Sequence, residues 1–334
     1  MVDNSTRRQF LATTGTVAMA AGAAPLIGAG PAVAGGARFG RIRKIDAGVL
    51  NVGYVELGPS HGEPVVLMHG FPYDIHSFEE VAPLLAARGY RVIVPYFRGH
   101  GATTFRSAST PRDVDQAAFA LDIIALLDAL GIPRAVLAGF DWGSRTGDII
   151  AALWPERVKA LVSVTGYLIT NLAMNRTPTL PANENAWWYQ YYFATDRGEA
   201  GLTAYRAQMG EFIWKFNSPT WKYSPATYDR TSAAFFNDDW VAIVIGNYRW
   251  RQSLLPAEPA YAALEAKLQA APKIAVPTIT IDGKYDPFTP AGDGSAYRGQ
   301  FTGRYQHRVL DVGHNVPQEA PHDFARAVID AGRL

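Results

Sequence analysis

The 334-residue chain has no cysteine. Disulfides, thiolate nucleophiles and cysteine-ligated metals are excluded with it. It also lacks an excess of either charge: 31 Lys and Arg stand against 30 Asp and Glu, a formal net charge of +1. That balance gives no footing for nucleic-acid binding. There is no internal repeat, charge block or Gln/Asn-rich tract. Past the N-terminal stretch no apolar run is long enough to cross a bilayer, so no stable membrane association is expected. What is present is a globular composition, 48% hydrophobic and 18% charged. Such a chain folds, and its length suits one large domain or one domain with a sizeable insertion.

The N-terminus has its own character. "STRRQFLATT" sets Arg7-Arg8 before Phe10-Leu11 and resembles a twin-arginine export signal. An Ala/Gly-rich apolar stretch follows, and "PAVAGG" offers an Ala-x-Ala cleavage site ending at Ala34. A retained membrane helix is the alternative. The stretch is broken by glycines and only weakly apolar, which favours a removed signal. Residues 1–34 are therefore expected to be a signal peptide, and the protein periplasmic or secreted. Without Arg7, Arg8 and Asp3 the remaining chain is electrically balanced.

From residue 35 onward, strand-like runs alternate with helical patterns. "PVVLMHG" (64–70) and "YRVIVPYFRG" (90–99) read as buried strands ending in glycine. "SFEEVAPLLAARG" between them reads as a helix with a glycine stop. "DQAAFALDIIALLDALGI" (115–132) is a helix closed by Gly131. Strand "RAVLAGF", helix "SRTGDIIAALWPERV" and strand "KALVSVTGYL" follow. The pattern returns with strands at 276–283 and 306–313 and a last helix from Pro321. This βαβ series predicts an α/β fold, a mostly parallel sheet flanked by helices. Between 169 and 255 the alternation stops. Six of the eight tryptophans fall there: Trp187, Trp188, Trp214, Trp221, Trp240 and Trp250. That stretch is expected to be a mainly helical cap over a pocket at the carboxyl ends of the strands. The core is then split into 35–168 and 256–334.

"AGFDWGSRTG" (138–147) joins a predicted strand to a predicted helix. Gly139 and Gly143 flank Asp141 at two residues' distance, the spacing a nucleophile on a sharp turn requires. An N-cap aspartate is the plain alternative. Later residues decide between the two. "DVGHNVPQEAP" puts His314 in a loop before the last helix. "IDGKYDPFTP" supplies Asp286, with Asp282 a weaker choice. Nucleophile, acid, histidine is the α/β-hydrolase order. "LMHGFP" looks like the His-Gly-x-Pro loop of that fold, which makes the N–H groups of Phe71 and Trp142 the expected oxyanion donors.

With these residues the chain resembles α/β-hydrolase-fold enzymes with an aspartate nucleophile, and among them the epoxide hydrolases. Their elbow is commonly Gly-His-Asp-Trp-Gly; here Phe140 replaces the histidine. The resemblance implies two cap tyrosines that act as acids toward the epoxide oxygen. "WWYQYYFAT" points to Tyr189 and "GNYRWR" to Tyr248. It also implies substrate contacts from Phe71, Trp142 and Trp188, and no metal or organic cofactor. His69 is expected to shape the oxyanion loop and Arg98 to be structural. The remaining histidines show no metal-ligand spacing.

A carboxylate suits such chemistry. Serine attack on an epoxide or an alkyl halide would leave an ether. Aspartate attack leaves an ester, whose carbonyl comes from the enzyme and is open to water. Two other readings stay open. Haloalkane dehalogenases often carry tryptophan after the nucleophile, as at Trp142. Haloacetate dehalogenases carry an arginine where Arg145 stands and another where Trp142 stands. Catalytically silent binding on the same fold is the third reading.

Overall fold

The computed structural model describes residues 39–334; the expected signal peptide lies outside them. Strands β1 (Arg43–Ala47), β2 (Leu50–Leu57), β3 (Glu63–Met68), β4 (Tyr90–Pro95), β5 (Thr104–Phe105), β6 (Ala135–Gly139), β7 (Val158–Val164), β8 (Thr278–Gly283) and β9 (Tyr305–Leu310) form one sheet. Its order is β1-β2-β4-β3-β6-β7-β8-β9, with β5 paired to β2. From β4 to β9 neighbouring strands are parallel; β1, β2 and β5 add antiparallel pairs at one edge.

The central strands are mostly apolar because helices cover both faces. Every residue of β6 and β8 is buried. Helices α1 (Val81–Ala86), α2 (Gln116–Ala129) and α3 (Trp142–Leu153) follow β3, β4 and β6 as crossovers. Gly89 and Gly131 end the first two segments with positive φ, where a side chain would be strained. Strand β7 stops short of the sequence expectation, since Thr165 and Gly166 both turn to positive φ.

All regular elements between β7 and β8 are helical. They are α4 (Pro181–Ala186), α5 (Trp188–Phe193), α6 (Asp196–Ala204), α7 (Arg206–Asn217), α8 (Pro225–Ser232), α9 (Trp240–Arg251), α10 (Ala262–Gln269) and short 3-10 turns. Helix α10 joins the core through Glu265, which accepts from the Ala117 N–H at 2.9 Å and from Gln116 at 3.1 Å. Helices α11 (Ser295–Arg298), α12 (Val316–Glu319) and α13 (Pro321–Ala331) complete the chain. The loops after β3, β6, β8 and β9 open at the same edge of the sheet, where ligands sit in open α/β folds.

Candidate active site

Asp141 sits between β6 and α3 with φ 53° and ψ −122°. For a side-chain-bearing residue this is strain, which persists only where neighbours impose it. They do. A Cβ on Gly139 would lie 2.5 Å from the Gly143 carbonyl carbon, and one on Gly143 would lie 2.0 Å from the Met68 oxygen. Gly70 leaves room in the same way, its notional Cβ being 2.3 Å from Asp141 Oδ1. An ordinary N-cap aspartate would bond its own helix; Asp141 makes no such side-chain bond. Its Oδ1 accepts instead from the Phe71 N–H at 2.7 Å. The Trp142 N–H, the other expected donor, makes no hydrogen bond to the carboxylate.

His314 faces this carboxylate. Its Nε2 lies 3.7 Å from Asp141 Oδ2, and its Nδ1 bonds Asp286 Oδ2 at 2.7 Å. Asp286 is held by the Phe288 N–H, which donates to Oδ1 at 2.8 Å. The weaker candidate Asp282 is engaged elsewhere, accepting from Tyr297 at 2.8 Å and from Gly292 N–H at 3.2 Å. Burial alone would lower the pKa of His314. The charges of Asp286 and Asp141 and the hydrogen bond to Asp286 outweigh it and push it up to about 10. Burial would likewise raise Asp141, but His314, the Phe71 N–H and Arg145 hold it below the usual carboxylate range. The resting pair is therefore carboxylate and imidazolium.

Two cap helices bring phenols to the same place. Tyr189 of α5 and Tyr248 of α9 are both buried, with ring centroids 5.5 Å apart and planes perpendicular. Both pack on Phe71, at 6.1 and 5.5 Å. Burial first, then the neighbouring Tyr248 and Asp141, raise Tyr189 well above its usual value. Burial and Asp141 raise Tyr248 too, with Arg251 and Arg145 opposing. Both phenols therefore carry their protons at neutral pH.

Phe71 and Trp142 stack at 5.7 Å and line the site. Trp188 is half-buried behind them: its ring meets that of Tyr189 edge-on at 6.1 Å and packs on Tyr192 and on Phe212, which is 58% exposed. Adjacent residues of a helix point about 100° apart, and Tyr189 takes the inward direction. Phe288, Phe193 and Trp240 were not foreseen. Phe288 lies between two of the candidate side chains, 5.4 Å from the ring of His314 and 6.3 Å from that of Tyr189. Its signal is local: in "DPF" the turn that bonds Asp286 also aims the ring two residues on.

Phe140, at the family's histidine position, is buried against Tyr73 at 4.9 Å and His314 at 6.3 Å. His69 supports the oxyanion loop. Its Nε2 accepts from the Phe97 N–H at 3.2 Å, which leaves Nδ1 to donate to the Gly70 carbonyl at 3.0 Å. Burial and His100 push it down to about 3. Arg98 holds Asp122 with two hydrogen bonds of 2.7 and 2.8 Å and is structural. Arg145 is buried and donates to Thr170 at 3.4 Å. Ser144 donates to the Gly139 carbonyl at 2.8 Å, which commits its hydroxyl to the end of β6.

A strained elbow in a mostly parallel sheet, with a carboxylate, a second acid and an imidazole on the loops after β6, β8 and β9, defines an α/β hydrolase. The chain belongs to the alpha/beta hydrolase fold family, whose model matches residues 63–321. A Klebsiella pneumoniae protein described as a candidate epoxide hydrolase is 54% identical, with 89% of this chain and 99% of that one covered and a TM-score of 0.87. Epoxide hydrolase A of Mycobacterium tuberculosis is 32% identical over 48% of this chain and 48% of its own length. A haloalkane dehalogenase of Mycobacterium marinum is 26% identical over 88% of this chain and 92% of its own. The bifunctional epoxide hydrolase 2 of Sus scrofa is matched over only 24% of its length.

Proposed function

We propose that the protein is an epoxide hydrolase that works through an alkyl ester on Asp141. The observation that carries the reading is the pair of buried, protonated phenols, Tyr189 and Tyr248, packed on the residue whose N–H holds the Asp141 carboxylate.

In the first step an Asp141 oxygen attacks an epoxide carbon and the C–O bond breaks. The departing alkoxide takes a proton from one phenol while the other donates a hydrogen bond. Ester formation removes the negative charge from Asp141, and with it one of the two charges that keep His314 protonated. Its proton replaces the one the phenol gave up, through intervening solvent. In the second step neutral His314, oriented by Asp286, takes a proton from water. That water attacks the ester carbonyl, and the oxyanion is stabilised by the Phe71 N–H. Trp142 N–H is the second donor in this reading, engaged when the tetrahedral oxygen forms. Collapse breaks the ester C–O bond, and the departing alkoxide takes the proton His314 gained. The new acid proton on Asp141 passes back to His314. The vicinal diol leaves a carboxylate and an imidazolium, as at the start.

One single turnover in ¹⁸O-labelled water tests this. The label should enter the Asp141 carboxylate and be missing from the first diol formed. Label in that diol would mean direct attack by water and would end the ester reading.

A second reading, haloalkane hydrolysis, draws on the Trp142 Nε1, which is buried with no hydrogen-bond partner. It uses the same ester but leaves both phenols without a task. For localisation we propose export by the twin-arginine route, on the strength of Arg7-Arg8 and the Ala34 site; N-terminal sequencing of the periplasmic protein should begin at Gly35.

A further inference from the structure

The loop that carries His314 is tied to the cap by a cluster that the chemistry above does not use. Helix α7 ends at Asn217, and its carbonyl accepts from the His314 N–H at 3.1 Å. The next residue, Ser218, accepts on its hydroxyl from the Asn315 N–H at 3.3 Å and donates to Glu319 Oε1 at 2.6 Å. Glu319 also accepts from the Asn315 N–H at 3.1 Å and, on Oε2, from the Gly313 N–H at 2.9 Å. One buried-side carboxylate thus gathers the N–H groups on both flanks of His314 and a hydroxyl from the cap. The approach is close: a Cβ on Gly313 would lie 2.6 Å from Ser218 Cα. Three residues before the end of α7, Trp214 stacks on Tyr73 at 5.1 Å, and Tyr73 lies 6.1 Å from the His314 ring.

The bland explanation is a helix cap. Glu319 closes the four-residue helix α12, and a side chain bonding back to Asn315 would satisfy one orphan N–H. That accounts for the Asn315 contact alone. Gly313 and Ser218 lie outside the turn, and Ser218 belongs to another part of the fold.

We propose that Glu319 is a positioning residue. It clasps the end of cap helix α7 to residues 313–315 and so sets where His314 stands relative to Asp141 and its ester. Asp286 fixes the rotation of the imidazole; Glu319 and Ser218 fix the backbone from which it hangs. The positioning part rests on the reading of His314 as the base of ester hydrolysis. The clasp itself does not.

Two measurements separate them. Amide hydrogen exchange of the wild type, Glu319→Gln and Ser218→Ala needs no substrate. Exchange at 313–315 and at the end of α7 should rise by about tenfold or more while the central sheet is unchanged. Unchanged exchange at 313–315 in both variants overturns the clasp. Ser218→Ala removes a single hydroxyl, so the test survives if Glu319→Gln fails to fold. Rapid-quench single turnovers with styrene oxide then read the two chemical steps. Glu319→Gln should slow ester hydrolysis by about tenfold or more, because small misplacements of a catalytic group are costly. Ester formation should stay within about threefold, so that ester accumulates and kcat and KM fall together. Equal slowing of both steps, or of neither, overturns the positioning role. If the wild type opens no epoxide, the functional reading fails separately. The His314 imidazole resonances then decide the positioning: they should shift in Glu319→Gln, and coincidence with the wild type overturns it.

Discussion

Replacing Asp141 by Asn should release the proton that His314 holds. The imidazole Nε2 and Asp141 Oδ2 are 3.7 Å apart and both groups are buried. Two unit charges at that distance attract by about 4–5 kcal/mol at an effective dielectric of 20. At about 1.4 kcal/mol per power of ten, that is roughly a thousandfold in proton affinity. Asparagine keeps the shape and can still accept the Phe71 N–H, so the change isolates charge. The variant also imitates the electrostatics of the ester, in which Asp141 is neutral. An NMR titration of the His314 imidazole in both proteins makes the comparison. The wild type should stay protonated through neutral pH, in keeping with a pKa pushed up to about 10. The Asp141→Asn protein should titrate far lower, within the range where histidine serves as a base. Coincident titrations would refute the idea that ester formation switches His314 from acid to base.

Tyr189→Phe and Tyr248→Phe should each slow ester formation from an epoxide by about 10²–10⁴-fold, the usual worth of a positioned acid; rapid-quench assays should show turnover of an alkyl halide, if any, unaffected. Stability should fall as pH rises, because the folded pKa of His314 lies above the unfolded value of 6.5. Its contribution is complete below pH 6.5 and is lost as pH climbs toward about 10; melting curves of His314→Gln should lose most of that slope. Phe140→His would bury an imidazole among Tyr73, Phe78 and His314. With no partner assured, it should cost about 1–3 kcal/mol in chemical denaturation. Gly143→Ala puts a methyl 2.0 Å from the Met68 carbonyl oxygen, so the elbow must shift; about 1–3 kcal/mol or more of stability and nearly all activity should go with it.

The core site was legible because each of its residues is announced by local pattern. Asp141 stands between glycines that its turn demands, and His314 and Asp286 follow strands whose apolar runs are plain. Strands β3, β4 and β6 to β9 were expected within a few residues. The β1–β2 hairpin was not, since Gly48 and Val49 close it with no longer turn signal. The cap was harder to read. Periodicity says that a helix buries a face, but not what that face meets. In α5 it cannot tell Tyr189, over the oxyanion loop, from Trp188, beside exposed Phe212. The Glu319 cluster joins residues about a hundred positions apart, and no spacing within either segment reveals it. Asn217 and Ser218 look like an ordinary helix end until the His314 loop is packed against them.

The most direct test of the Asp141 ester is intact and peptide mass spectrometry of the His314→Gln protein after one turnover with an aryl epoxide. That variant keeps the proposed nucleophile and loses the proposed base for the second step. A mass increase equal to the whole epoxide, located on the peptide that contains Asp141, is the expected result. An unmodified Asp141 peptide, while the wild type makes diol from the same compound, would contradict it.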